Sequence, residues 1–258
     1  MAILEAFILG IVEGFTEFLP VSSTGHLILT SHLLKLEQSD FLKSFEIAIQ
    51  LGAILSVVVL YLKKFLLNLE VIKRVAVAFL PTTVIGFLLY GFIKNILLGS
   101  ATVVLWSLFL GGIALIAFEF WYSKTALKIN SSNSLLLSYR HCFFIGLFQA
   151  ISIIPGVSRA GATILGGLWL GVPRKTIVEF SFLLALPTMA GATGLDLVKN
   201  WSSFSDGQFG ILAVGFVVSF ITAVLAIKFL LSFIQKHSFI SFGVYRIILA
   251  IVFLLFLM

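Results

Sequence analysis

Residues Glu13–His26 read EGFTEFLPVSSTGH and place two carboxylates, a cluster of hydroxyls and an imidazole in fourteen positions of a chain that is otherwise mostly hydrocarbon. Glu13 and Glu17 are four apart, so on a helix they share one face, where like charges repel. Pro20 ends that helix, because its ring cannot continue the hydrogen-bond ladder. Ser22, Ser23 and Thr24 then serve as N-caps for a second helix expected from about Gly25 to Leu34. An acidic helix, a break and a hydroxyl-rich helix start are costly in apolar surroundings. The pattern marks a place where something is bound or cut.

The surroundings are apolar indeed. The 258 residues are 60% hydrophobic and 11% charged, with a mean hydropathy of +1.16, against roughly a quarter charged in soluble domains. Apolar runs that approach the 20 or so residues needed to cross a bilayer recur along the chain. This is the composition of a polytopic membrane protein, read as a single integral membrane domain over residues 1–258. The net charge of +6 reports Lys and Arg in cytoplasmic loops rather than a nucleic-acid partner. The single cysteine, Cys142, excludes an intrachain disulfide and a cysteine-based metal cluster. Residues 1–12 are apolar but lack a basic flank, so a cleaved signal peptide is not expected.

Residues 1–34 do not form one clean span. The run before Glu13 is too short to cross, and Pro20 interrupts the apolar run after it. This suits a re-entrant helical hairpin, since broken backbone is tolerated at membrane depth where protein or a cavity surrounds it. Three spans are expected next, at Phe45–Leu62, Val75–Ile93 (with a kink at Pro81) and Thr102–Trp121, before a polar loop over Ser123–Arg140. Residues 141–171 repeat the opening problem. A helix from His141 meets Pro155-Gly156, and Val157-Ser158-Arg159-Ala160-Gly161-Ala162-Thr163 starts another short one. Spans at Val178–Val198, Phe209–Ile234 and Ile240–Met258 complete an all-α fold of six transmembrane helices plus two re-entrant hairpins.

Loop charges orient it. With the loop between Leu62 and Val75 inside, that side collects Lys63, Lys64, Lys73, Arg74, Lys124, Lys128, Arg140, Arg174, Lys175 and Lys236, and the other only Lys35, Lys43, Lys94 and Lys199. The bias puts both termini outside. The first hairpin then enters from outside and the second from inside, an inverted-topology repeat of residues 1–122 and 141–258. A weak internal match at an offset of 136 agrees: Glu13 falls on Gln149, Ser22 on Ser158, Gly25 on Gly161 and Ile28-Leu29 on Ile164-Leu165. Two half-helix N-termini, near Ser23 and Ser158, would face each other and favour an anion.

Arg159 is the sharpest single signal, since intramembrane charges mark function and Arg pairs bidentately with phosphate. Its bland alternative is an ion pair with Glu13 or Glu17. Ser158 flanks it and Thr163 lies one turn on. Glu13 and Glu17 suit a base, a proton shuttle or a cation site; their alternative is structural pairing with Arg159. His26, three after Ser23, can face the same reactant or merely bond a neighbour. Glu46, Glu179 and Asp196 are weaker candidates, Arg246 reads as an anchor for the last helix, and His32, His141 and His237 sit near interfaces. Gly156–Gly161 misses the Gly-x-Ser-x-Gly elbow by one residue, and no Walker loop or zinc spacing occurs. The set describes a site for a phosphorylated or diphosphate group on a lipid, and leaves open whether the lipid is cut or carried.

The same residues resemble the undecaprenyl-diphosphate phosphatase family, the bacitracin-resistance membrane proteins of bacteria. The resemblance rests on Glu13–His26, on Pro155-Gly-Val-Ser-Arg-Ala-Gly-Ala-Thr163, on Phe45-Glu-Ile-Ala-Ile-Gln-Leu-Gly52 and on Glu179-Phe-Ser-Phe-Leu-Leu-Ala-Leu-Pro187, and spans nearly the whole chain. It implies removal of the terminal phosphate of a C55 isoprenyl diphosphate in the bacterial plasma membrane, returning the carrier to peptidoglycan synthesis. Carried over, the catalytic set is Glu17, Ser23, His26 and Arg159. Ser22, Thr24, Ser158, Arg159 and Thr163 bind phosphate, and Glu13 with Glu17 holds a divalent cation such as Mg or Ca if one is used. One departure is Ala160, where the family usually has Ser. Partners are then the polyprenyl diphosphate lipid and the bilayer, with no nucleic acid; a homodimer stays open, as does Ser23 against His26 as nucleophile. The competing class is a transporter or flippase of a polyprenyl phosphate lipid.

Overall fold

The computed structural model describes residues 1–37, 39–62, 67–89, 91, 100–125, 137–200 and 208–257. Lys63, Lys64, Lys94, Lys128, most of the Ser123–Arg140 loop and the side chains of Asp196 and Lys199 lie outside the described residues. Within them the chain is all helix, with no strand: α1 (Ile3–Thr16), α2 (Ser23–Leu33), α3 (Asp40–Tyr61), α4 (Leu69–Leu88), α5 (Ala101–Thr125), α6 (Tyr139–Ala150), a 3-10 turn (Ile151–Ile153), α7 (Arg159–Trp169), α8 (Arg174–Asn200), α9 (Phe209–Phe233) and α10 (Ile240–Leu257).

Among the described residues, four helices are long and apolar enough to cross a bilayer: Phe41–Tyr61, Leu69–Leu88, Ala101–Lys124 and Phe209–Phe233. At 11 to 14 residues, α1, α2, α6 and α7 fall well short of the 20 or so required. Caps, not hydropathy, set several boundaries. α3 starts five residues before the expected Phe45 because Ser39 Oγ accepts the Leu42 amide at 3.1 Å. α4 starts at Leu69 rather than Val75 because Asn68 Oδ1 accepts the Glu70 amide at 3.0 Å, which takes Lys73 and Arg74 into the helix. Pro81 and Pro187 lie inside α4 and α8.

α9 illustrates how a membrane helix distributes its faces. Val217, Ile221, Leu225 and Phe229, each four residues on, are exposed, while Gly215, Ser219, Ala223 and Ala226 are buried. The exposed apolar face suits a lipid environment, and the small residues let another backbone approach. That backbone is α1: a Cβ on Gly14 would sit 2.3 Å from the Ser219 carbonyl oxygen. α6 packs on α4 in the same way, since a Cβ on Gly146 would overlap the Ala78 carbonyl. Each contact includes an interhelical hydrogen bond from a threonine to a glycine carbonyl, Thr222 to Gly10 at 3.3 Å and Thr82 to Gly146 at 2.9 Å. α3 lies against α8 and α9, α4 against α8, and α5 against α10.

The two short-helix pairs break where the sequence predicts. After α1 the chain turns through Glu17–Val21, and Ser22 takes a left-handed conformation (φ 73°) at the N-cap of α2. After α6, Gly156 takes φ 87°; a Cβ there would lie 2.7 Å from the Val104 carbonyl oxygen, so the second break needs glycine.

Candidate active site

The two breaks meet. A cavity of about 200 Å³ lies between them, walled by Glu17, Ser22, Ser23 and Thr24 from the first and by Ser152, Val157, Ser158 and Arg159 from the second, with Gln50, Thr188 and Met189 closing it. Residues more than 130 positions apart thus share one polar space inside an apolar protein.

Glu17 is its centre. It sits at the C-cap of α1, buried, with one oxygen for each half of the site. Ser23 Oγ donates to Oε2 at 2.5 Å, and Arg159 Nη2 donates to Oε1 at 3.1 Å. Ser23 and Arg159 are the first helical residues of α2 and α7, so the two half-helix starts converge on one carboxylate. Arg159 is itself anchored by Nη1 to the Ser181 carbonyl at 2.8 Å, while its Nε is buried without an acceptor. A guanidinium with two donors fixed and one unsatisfied is prepared for an anionic oxygen.

The half-helix starts differ in their caps. Ser158 Oγ accepts the Gly161 amide at 3.0 Å and caps α7. No side chain caps α2: Ser22 occupies the N-cap position with its strained backbone, and its hydroxyl makes no cap bond. The first amides of α2 are therefore without the oxygen that a cap would give them. Non-glycine residues with positive φ cost on the order of 1–3 kcal/mol and gather at functional sites.

Not every expected residue reaches the cavity. His26 is buried with both ring nitrogens engaged, Nδ1 with the Ser22 carbonyl at 2.7 Å and Nε2 with the Tyr245 hydroxyl at 2.6 Å, and its ring stacks on Tyr245. It lies off the cavity wall and orients α2 instead. Thr163 is fully buried; its hydroxyl bonds the Arg159 and Ala160 carbonyls and Ser181 Oγ at 2.7 Å, so one helical turn from Arg159 carries it into the core. Ala160 is also core, 1% exposed, and a hydroxyl at that position would not face the cavity. Glu13 is off the wall too, fully buried, and among the described residues no N–H or hydroxyl donor reaches its carboxyl oxygens.

These donors bear on a divalent cation as well. No group of three or more His, Cys, Asp or Glu side chains gathers among the described residues. The orphaned Glu13 oxygens one turn before Glu17 fit an ion of the kind held by one or two carboxylates together with substrate phosphates and water; they do not form a protein-only cage.

Other contributors escaped the sequence reading. Gln50 and Thr188 line the cavity from α3 and α8. Arg246, read as an anchor, is 2% exposed and meets no carboxylate among the described residues. It donates to the Pro20 carbonyl (3.3 Å) at the first break, the Gly156 carbonyl (3.2 Å) at the second, and Ser107 (2.8 Å) and Leu108 (3.3 Å) on α5. The rule that singled out Arg159, an intramembrane charge, applied equally to Arg246.

Comparison with known proteins decides the family. Residues 6–252 match the family described as bacitracin resistance protein BacA. The chain belongs to this family. Similar proteins include the undecaprenyl-diphosphatases of Persephonella marina, 53% identical over all 258 residues and 100% of both chains, of Aquifex aeolicus, 52% identical over 96% of both, and of Wolinella succinogenes, 52% identical over 100% of this chain and 99% of that one. This BacA-family member is therefore an all-helical, multi-pass membrane protein whose two chain breaks build the polar cavity just described.

Proposed function

We propose that the protein hydrolyses undecaprenyl diphosphate to undecaprenyl phosphate and inorganic phosphate, and that the reaction runs through Ser23. The observation that carries this is the Ser23–Glu17–Arg159 chain at 2.5 and 3.1 Å within one buried cavity: a nucleophile, its base and an anion-binding cation in contact. The identity of 42–53% to undecaprenyl-diphosphatases along essentially the whole chain supports the substrate.

The terminal phosphoryl sits against Arg159 and the uncapped start of α2, with Ser22, Thr24 and Ser158 as hydroxyl donors. Ser23 Oγ attacks phosphorus as Glu17 takes its proton. The anhydride P–O bond breaks, undecaprenyl phosphate departs with the bridging oxygen, and a phosphoserine remains. Water then attacks the phosphoserine, inorganic phosphate leaves and Glu17 returns the proton to Ser23. Arg159 meets the charge that builds on the equatorial oxygens, where positioned donors matter most. A divalent cation, when bound, would be held by Glu13 and Glu17 and would supply charge neutralisation at the phosphates.

The membrane arrangement belongs to the same proposal. α3, α4, α5, α8, α9 and α10 are the six spans, and α1–α2 with α6–α7 the two re-entrant hairpins, in a plasma membrane with both termini outside. The inverted repeat of residues 1–122 and 141–258 is supported by paired contacts. α1 lies on α9 as α6 lies on α4, and the Thr222–Gly10 and Thr82–Gly146 hydrogen bonds are alike, their glycines 136 apart and their threonines 140.

The test is phosphate release from the C55 diphosphate in detergent. Wild type releases phosphate and Arg159→Ala does not; transport of the lipid in vesicles with no phosphate release from well-folded protein overturns the reading.

A further inference from the structure

A second cavity, of about 620 Å³, runs between α5 and the α6–α7 hairpin. We infer that it holds the first isoprene units of the substrate's lipid tail, an inference that rests on the hydrolysis proposed above and names where the non-reacting part of that substrate lies.

Its position argues for this first. Val157 and Ser158 line both this groove and the polar cavity. An apolar groove between α3, α4 and α8 (about 480 Å³) and another between α1, α9 and α10 (about 330 Å³) share no lining residue with the polar cavity. A ligand with a phosphate at Arg159 and a hydrocarbon chain therefore finds this apolar groove directly behind Val157 and Ser158.

Shape and chemistry argue next. The inner end is buried at Ser158 and Arg246, 4% and 2% exposed, whereas the outer walls carry Leu110, Ile151 and Trp169 at 49–60%. The groove therefore starts at the polar site and opens sideways, where the bilayer lies. Its walls follow α5 from Leu110 to Trp121 and α7 to Trp169, about 16 Å at 1.5 Å per residue, enough for the first few isoprenes. Gly111, Gly161, Ala114 and Ala162 keep the floor low, and Trp169, packed edge-on against Phe148 at 5.3 Å, forms a lip. Small residues facing a long run of methyl-bearing carbons give area without directional contacts, which suits a flexible hydrocarbon.

Ala114 and Ala162 point into the groove from partly exposed positions, so larger side chains there block it without entering the core. Ala114→Trp and Ala162→Phe should raise KM for the C55 diphosphate about tenfold or more while kcat holds, because tail contacts are made equally in ground and transition states. Ser241→Trp, which fills the α1–α9–α10 groove, should change neither. An unchanged KM in both groove variants, a fall in kcat instead, or an equal rise in Ser241→Trp overturns the assignment. A polyprenyl diphosphate with a photoreactive group on its second isoprene gives a readout independent of turnover. Labelling on α5 or α7 supports the groove, and labelling on α4 or α9 overturns it. A wild type that is labelled there but releases no phosphate sinks the hydrolysis and leaves the tail site standing.

Discussion

Ser23 Oγ lies 2.5 Å from Glu17 Oε2, across the break that Pro20 makes between α1 and α2. The two residues are six apart in sequence, too far round a continuous helix to meet, so the contact exists because the helix stops. Removing the base, the nucleophile or both should then cost much the same, since each change disables one proton-transfer unit. Glu17→Gln and Ser23→Ala are each expected to lower kcat by about 10²–10⁴-fold, and the double variant by no more than the worse single. Multiplicative losses in initial-rate assays would show that the two act separately.

Arg159 binds Glu17 and the Ser181 carbonyl with different nitrogens and keeps Nε spare. Lysine has one ammonium and cannot span those acceptors. Arg159→Lys should therefore lose nearly as much as Arg159→Ala, about 10²–10³-fold in kcat/KM, despite keeping its charge. Near-wild-type rates in Arg159→Lys would mean that charge alone, not the planar fork, is needed.

Much of this was legible in the chain. Pro20 and Pro155-Gly156 announced the two breaks because proline and glycine act on the backbone locally, without help from the rest of the fold. Glu17, Ser23 and Arg159 stood out because ionised or hydroxylated groups are expensive in hydrocarbon. Helical periodicity at the half-helix starts did not carry every expected residue to the cavity wall. Thr163 lies one turn beyond Arg159, yet Arg159's long side chain bends out to the cavity while the short threonine stays in the core beside Ser181. His26 relates to Ser23 in the same way and is drawn off by Tyr245, 219 residues away. Side-chain length and a distant partner decide such cases, and neither is written in local spacing. Gln50 and Thr188 were passed over because neutral polar residues are less conspicuous than charges.

Arg246 ties both breaks to α5 through backbone carbonyls alone. Burying an arginine in apolar surroundings is costly, and hydrogen bonds to a charged group return about 1.5–3 kcal/mol each, so even part of this set holds it in place. Its removal should loosen the Pro20–Gly156 junction on which the Glu17–Arg159 distance depends. Arg246→Met is expected to lower kcat and the detergent Tm together, and Arg246→Lys to recover part of the Tm with little recovery of kcat. A full return of activity in Arg246→Lys would limit the residue to simple charge burial.

Gly156 offers a test of the junction that removes no hydrogen-bonding group. Its φ of 87° and the Val104 carbonyl 2.7 Å from any Cβ make alanine doubly unfavourable. Gly156→Ala should cost on the order of 1–3 kcal/mol for the backbone alone, seen as a lower Tm. Because the strain falls beside Ser158 and Arg159, kcat should fall as well; a stability loss with intact kcat would show that the second break tolerates displacement.

His26 and Ser23 are told apart by the linkage of a trapped phosphoenzyme. His26 holds the Ser22 carbonyl and the Tyr245 hydroxyl with its two nitrogens and is not part of the cavity wall, whereas Ser23 lines the cavity beside its base. The trapped species should thus be acid-stable, as a phosphoserine is, and absent from Ser23→Ala. Tyr245→Phe keeps the stacked ring and removes one hydrogen bond, at a cost of about 0.5–1.5 kcal/mol, so its kcat should fall by tenfold or less. His26→Ala releases Ser22 as well and should cost more, chiefly by letting the strained start of α2 relax. An acid-labile phosphoenzyme that survives in Ser23→Ala would reverse the assignment and make the imidazole the nucleophile.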